Sequence, residues 1–180
     1  LAAGENVILL DLEDTPISVV SRLRLVGTPD GQTVGQLIYI RPTDPFGPVA
    51  MSHLLDLIEQ RNVTAIVIDS LGEAFGTEGI NEDRDNEVGP WLRAVARVLA
   101  VDGPAVVLID HSTKTADNKL HPSGSKRKRA AIGGASYLVE AVTGFVKGGS
   151  GRLRLTCAKD RHGTYRRGEH VAWLDMDTQP

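Results

Sequence analysis

The chain has 180 residues, 41% of them hydrophobic, with one cysteine and a formal net charge of -3. That length and composition suit one compact domain with a sizeable core and leave little room for two, while the lone Cys157 excludes an internal disulfide and a Cys-rich zinc site and makes a reducing, cytoplasmic setting the default. No apolar run approaches the ~20 residues a membrane-spanning helix needs and no signal peptide is visible, so no membrane partner is expected.

The charge is unevenly spread. Residues 1–110 hold 7 Lys+Arg against 17 Asp+Glu, whereas residues 111–170 hold 13 against 4. Such asymmetry suits either a polyanion partner for one face or two oppositely charged surfaces that meet in a self-associating ring or filament.

The first predicted element is a strand, Val7 to Leu12, which follows the start of the chain so closely that the sequence reads as a piece of something longer. Next, "TPISVVSRLRLVG" has Thr15 as a helix N-cap, Pro16 at the first helical position and Gly27 as its stop. A short strand, Leu37 to Ile40, follows. In "MSHLLDLIEQRN" the residues Met51, Leu54, Leu55 and Ile58 recur at helical spacing, and the strand Ala65 to Asp69 comes after them. An acidic loop, "GTEGINEDRDNE", leads to a second helical stripe of Val88, Trp91, Leu92, Val95 and Leu99. Beyond the strand Ala105 to Asp110 lies a Gly/Ser/Lys/Arg-rich loop, then strands at Gly144 to Lys147, Leu153 to Ala158 and His170 to Leu174. The early strands are near-continuous apolar runs, as in strands buried on both sides. Their alternation with helices predicts an α/β fold with a mostly parallel sheet covered on both faces.

Three of these strands end on polar residues: Asp11, Glu13 and Asp14; Asp69 and Ser70; Asp110, His111, Ser112 and Lys114. Parallel α/β sheets bind ligands beyond the carboxyl ends of their strands, so these residues converge on one rim. An acid ending an apolar strand suits nucleotide hydrolysis, with Asp69 holding a water of the Mg²⁺ shell. Capping of the helix that starts at Leu71 is the alternative role.

"VILLDLED", "AIVIDSLGEAFG", "VVLIDHSTK", "AAIGGASYLVEAVTGFV" and "LTCAKDRHG", in this order and spacing, resemble the RecA-like ATPases of the RepA and DnaB-type replicative helicase group, particularly those of actinobacterial phages and mobile elements. The resemblance covers nearly the whole chain. It implies a single RecA-like P-loop NTPase core with C-terminal antiparallel strands, ATP and Mg²⁺ as cofactors, single-stranded DNA as partner, and a homo-oligomer, commonly a hexameric ring.

It also implies roles. Glu13 matches the glutamate that activates the attacking water, with Asp14 as a neighbouring candidate, and Asp69, followed by Ser70, matches the Walker B aspartate. His111 matches the polar group that senses the γ-phosphate; a hydrogen-bonded structural histidine is the alternative. Lys159 and Arg161 match a basic pair that reaches a neighbouring subunit's nucleotide. Two residues apart on a strand, they share a face, and pairing with Asp160 or Glu169 is their other reading. Residues 112–132 match a mobile DNA-contacting loop, in which Lys126, Arg127, Lys128 and Arg129 would track the phosphate backbone. The run contains no aromatic for base stacking, and a solvated basic loop is the alternative.

One departure stands beside these matches: no G-x-x-x-x-G-K-[ST] occurs, and "GGSGRLR" at 148–154 lacks the Lys-Ser/Thr ending. In the resembled family this phosphate cradle precedes the strand matching "VILLDL". The expectation is an N-terminally truncated core that binds ATP weakly by itself, or else a non-catalytic DNA-binding or loading module or a recombinase-type ATPase. The five histidines have no metal-ligand spacing, and Cys157 reads as core.

Overall fold

The computed structural model describes residues 4–25, 27, 35–101, 103–112, 120, 124–146 and 149–177. In chain order the elements are β1 (Asn6–Asp11), α1 (Pro16–Leu25), β2 (Leu37–Ile40), α2 (Pro48–Gln60), β3 (Val63–Asp69), α3 (Leu71–Thr77), α4 (Asp85–Ala94), α5 (Ala96–Leu99), β4 (Ala105–Leu108), α6 (Lys126–Ala131), β5 (Ala135–Thr143), β6 (Ser150–Asp160) and β7 (His170–Asp177). The first four strands form a parallel sheet in the order β2-β1-β3-β4, and the last three an antiparallel sheet in the order β5-β6-β7. This is the expected α/β class with antiparallel strands at the C-terminal end, consistent with a RecA-like core.

The core lies on one face of the parallel sheet. Ile8, Leu10, Ile66 and Ile68 are completely buried there, against Met51 and Leu54 of α2, Phe75 of α3 and Trp91 of α4. Phe75 and Trp91 meet edge to face with ring centroids 5.1 Å apart, a favoured aromatic geometry. Each fully buried aliphatic or aromatic side chain here contributes ~1.5–3 kcal/mol. Burial alternates along the strands where continuous burial was expected. On β4 the alternate residue Val107, with Ile109 just beyond the strand, remains 48% and 41% exposed. The apolar runs therefore fill one sealed face and one half-open face among the described residues.

Local signals account for the boundaries of α1. Thr15 caps α1, its Oγ1 accepting from the Ser18 amide at 3.4 Å, and Gly27 follows the helix at φ +75°, a conformation that favours glycine. The stripe Val88, Trp91, Leu92, Val95 and Leu99 is buried throughout, but the helix divides at Val95, five residues after Pro90, into α4 and α5. In α2, Leu55 is 40% exposed and Leu57 packs against the core in its place.

Two expectations are corrected. The strand placed at Gly144 to Lys147 lies earlier: β5 pairs with β6 from Ala135↔Asp160 to Thr143↔Arg152, and Gly144–Val146 already belong to the connection, with Lys147 outside the described residues. Nine residues, most of them β-branched, aromatic or small, with a paired partner outweigh a short apolar run bounded by glycines. The second correction concerns Lys126, Arg127, Lys128 and Arg129, which are helix α6 rather than loop. Of the basic stretch 112–132, residues 113–119 and 121–123 lie outside the described part.

Candidate active site at the strand ends

β1 and β3 run in register to Asp11↔Asp69, and β4 lies beside β3, so the carboxyl ends of three strands open on one rim. Asp11 turns inward, 3% exposed, and its Oδ1 accepts from the amides of Glu13 at 3.0 Å and Asp14 at 2.8 Å. It thereby fixes the turn that presents the two following acids. Those acids then diverge. Asp14 is engaged locally, accepting from the Thr15 amide at 2.7 Å and pairing with Arg22 of α1. Glu13 faces the rim, where its Oε1 lies 3.5 Å from His111 Nε2, and the two side chains are 40% and 75% exposed.

Asp69 stands among these groups. Partial burial pushes its carboxyl above the ordinary 3.8, and the nearby Glu13 and Asp11 carboxylates push it further in the same direction. The next residue, Ser70, is 1% exposed and its Oγ has no hydrogen-bond partner among the described residues. A buried orphan hydroxyl costs free energy unless something supplies a partner. Ser70 also marks the start of α3, yet its side chain makes no capping bond. The structure thus brings Glu13, Asp69 and His111 to one rim beside the Ser70 hydroxyl.

This donor set fits a hydrated Mg²⁺ bearing phosphate oxygens. Among the described residues no cluster of three or more His, Cys, Asp or Glu forms a metal cage. Mg²⁺ at nucleotide sites does not need one, because it keeps several waters and takes one or two carboxylates plus substrate phosphates.

The basic residues are distributed differently from expectation. Successive positions on a helix point about 100° apart, so four consecutive cations cannot share one face. Lys126 and Arg127 are exposed, Arg129 is half-buried, and Lys128 is buried at 3% exposure. Lys128 Nζ lies 2.9 Å from Glu82 Oε2, 3.0 Å from Asp110 Oδ2 and 5.4 Å from the centre of the Phe75 ring. Lys128 is therefore corrected from a DNA contact to an internal anchor. Burial raises the Asp110 carboxyl's pKa, and Lys128 opposes that shift.

The N-terminal end of α6 is fastened as well. Ser125 Oγ accepts from the Arg127 amide at 3.0 Å and donates to Asp85, and the Ser125 amide donates to the Glu82 carbonyl at 2.8 Å. Gly124 makes this approach possible: at φ +77°, a Cβ there would lie 2.7 Å from the Glu82 carbonyl oxygen. Acidic and basic runs of opposite halves thus meet inside one chain. Their complementary charge was the sequence signal for these partners, but the distance along the chain concealed which acid meets which base.

Lys159 and Arg161 also separate. Lys159 is half-buried and its Nζ donates to the carbonyls of Arg129 at 2.7 Å and Ile132 at 2.9 Å, while Arg161 is exposed. Burial lowers the Lys159 pKa, with Arg161 and Arg129 acting in the same direction. The paired-acid alternative fails for Lys159, and Asp160 instead holds the following turn by accepting from the amides of His162 at 2.8 Å and Tyr165 at 3.0 Å.

A parallel α/β sheet that gathers ionisable side chains and a buried hydroxyl at its carboxyl rim presents them where this class of fold binds its ligands. Residues 2–117, which contain that whole sheet and rim, match the AAA domain family, and the chain belongs to this family of ATPase-type domains. A search of curated proteins gives no significant match. No helix among the described residues is long and apolar enough to cross a membrane.

Proposed function

We propose that the chain forms the hydrolytic core of an ATP-driven DNA helicase or DNA-translocating ATPase of the RepA/DnaB type, working as a ring of copies on single-stranded DNA. The observation that carries this reading is the grouping of Glu13, Asp69 and His111 on one rim beside the buried Ser70 hydroxyl. Bound Mg·ATP would supply an electrophilic γ-phosphoryl group whose charge the metal neutralises. Asp69 would hold the hydrated metal, and its crowding by like charges is relieved when a cation arrives. Glu13, with Asp14 engaged by Arg22, would accept the proton of the attacking water. His111, within reach of Glu13, would sense the state of the phosphate end. Arg161 would serve the adjacent copy, stabilising charge on the transferred group. Lys126 and Arg127 would contact the DNA backbone, giving steeply salt-dependent affinity.

The experiment is DNA-stimulated ATP turnover in the full-length protein, with Glu13→Gln and Asp14→Asn compared. Glu13→Gln is expected to lower kcat by ~10²–10⁴-fold, the range for loss of a general base, and Asp14→Asn much less. Equal effects would remove Glu13 from its assigned role. DNA binding without turnover would favour a loading module instead, and DNA-dependent filaments in electron microscopy a recombinase-type ATPase.

A further inference from the structure

Helix α6 has six residues, too few to be stable alone, and its last carbonyls need partners from outside the helix. Lys159 supplies them. Its ammonium has three N–H groups, and three carbonyl oxygens surround it: Arg129 at 2.7 Å, Ile132 at 2.9 Å and Ala130 at 3.4 Å. Every donor that a phosphate would require is already directed at α6. The next segment is stitched to the same place, because the Arg161 amide donates to the Gly134 carbonyl at 3.2 Å and Asp160 pairs with Ala135. From its middle, α6 sends Lys128 to Asp110, the residue immediately before His111, and to Phe75, on the helix that follows Asp69 and Ser70.

We propose that Lys159 is a positioning residue rather than a nucleotide contact: with buried Lys128 it clamps α6 between the β4 end of the rim and the β6 end that carries Arg161. A movement of Asp110 and His111 is then carried by Lys128 to α6, and by Lys159 to the backbone beside Arg161. The chain of contacts is continuous and built from charged hydrogen bonds, which hold geometry better than neutral ones. The role of the transmitted movement rests on the ATPase reading above, whereas the clamp itself does not.

The test uses the full-length protein without nucleotide, measuring amide hydrogen exchange of peptides covering residues 126–132 by mass spectrometry. Lys159→Met is expected to speed exchange there about tenfold as α6 opens locally, while Arg161→Ala leaves it unchanged. In the unsubstituted protein, an acetylating reagent is expected to modify Lys128 and Lys159 at least about tenfold more slowly than exposed Lys126, a comparison that needs no variant to fold. Unchanged exchange in Lys159→Met, or equal acetylation of Lys159 and Lys126, overturns the clamp. The transmission is read separately, as the ratio of DNA-stimulated to basal turnover, expected to fall several-fold in Lys159→Met; faster exchange with an undiminished ratio overturns transmission. The absence of any turnover would count against the ATPase reading, and the exchange and acetylation results would still decide the clamp.

Discussion

Two groups of carboxylates sit at or beside the ends of the parallel strands, and they are treated in opposite ways. Asp110, with Glu82 beside it, receives the buried ammonium of Lys128 at 3.0 Å and 2.9 Å. Asp69 and Glu13 face each other across the rim with His111 as their close basic neighbour, and among the described residues neither forms an ion pair with a lysine or arginine. The paired set anchors a helix, whereas burial, then Glu13 and Asp11, raise the Asp69 carboxyl, an upward shift that a bound cation would oppose.

The largest expected effect that sharpens this contrast is on chemistry: Asp69→Asn in the full-length protein should reduce Mg-dependent ATP turnover by two orders of magnitude or more, since electrostatic stabilisation of the transferred phosphoryl group is the dominant part of such catalysis. Near-normal turnover in that variant would break the comparison outright. Next comes Lys128→Met, which strands a buried carboxylate and should cost about 3 kcal/mol of unfolding free energy in urea titration. The double variant Lys128→Met with Asp110→Asn should recover part of that loss, because it removes the stranded charge.

The same contrast predicts a pH dependence at Asp69. Its folded pKa is raised above 3.8, so the folded chain holds this proton more tightly than the unfolded one. Stability from this group is complete below pH 3.8 and is lost as pH rises through the elevated value. Asp69→Asn should therefore raise the melting temperature near neutral pH while removing activity, and a lower melting temperature would contradict the crowding. Gly124→Ala should cost about 1 kcal/mol or more, from its positive φ and the close Glu82 carbonyl. The smallest effect is expected for Ser70→Ala. Replacing a buried hydroxyl without a partner should leave stability unchanged or improve it by up to about 1 kcal/mol, measured by thermal melting.

The rim was legible in the sequence because it is built from short-range patterns. An apolar run that ends on an acid states both the strand and the direction in which its last residues point, so "VILLDLED", "AIVID" and "VVLIDH" sufficed to group Glu13, Asp69 and His111. That Asp14 is engaged locally while Glu13 faces the rim was not legible, since the pairing of Asp14 is with Arg22, eight residues away. The basic run was misread for a related reason. Four consecutive cations look alike in sequence, and only the helical turn of about 100° per residue separates exposed Lys126 from buried Lys128.

What the amino-acid order determined by itself is the four parallel strands, their apolar residues and the polar residues at their ends, all consequences of hydrophobic periodicity over a few residues. Only the tertiary structure decided which charges neutralise each other. Glu82 meets Lys128 across 46 positions and Lys159 reaches the carbonyl of Arg129 across 30, and pairings at such separations depend on how the helices and sheets pack.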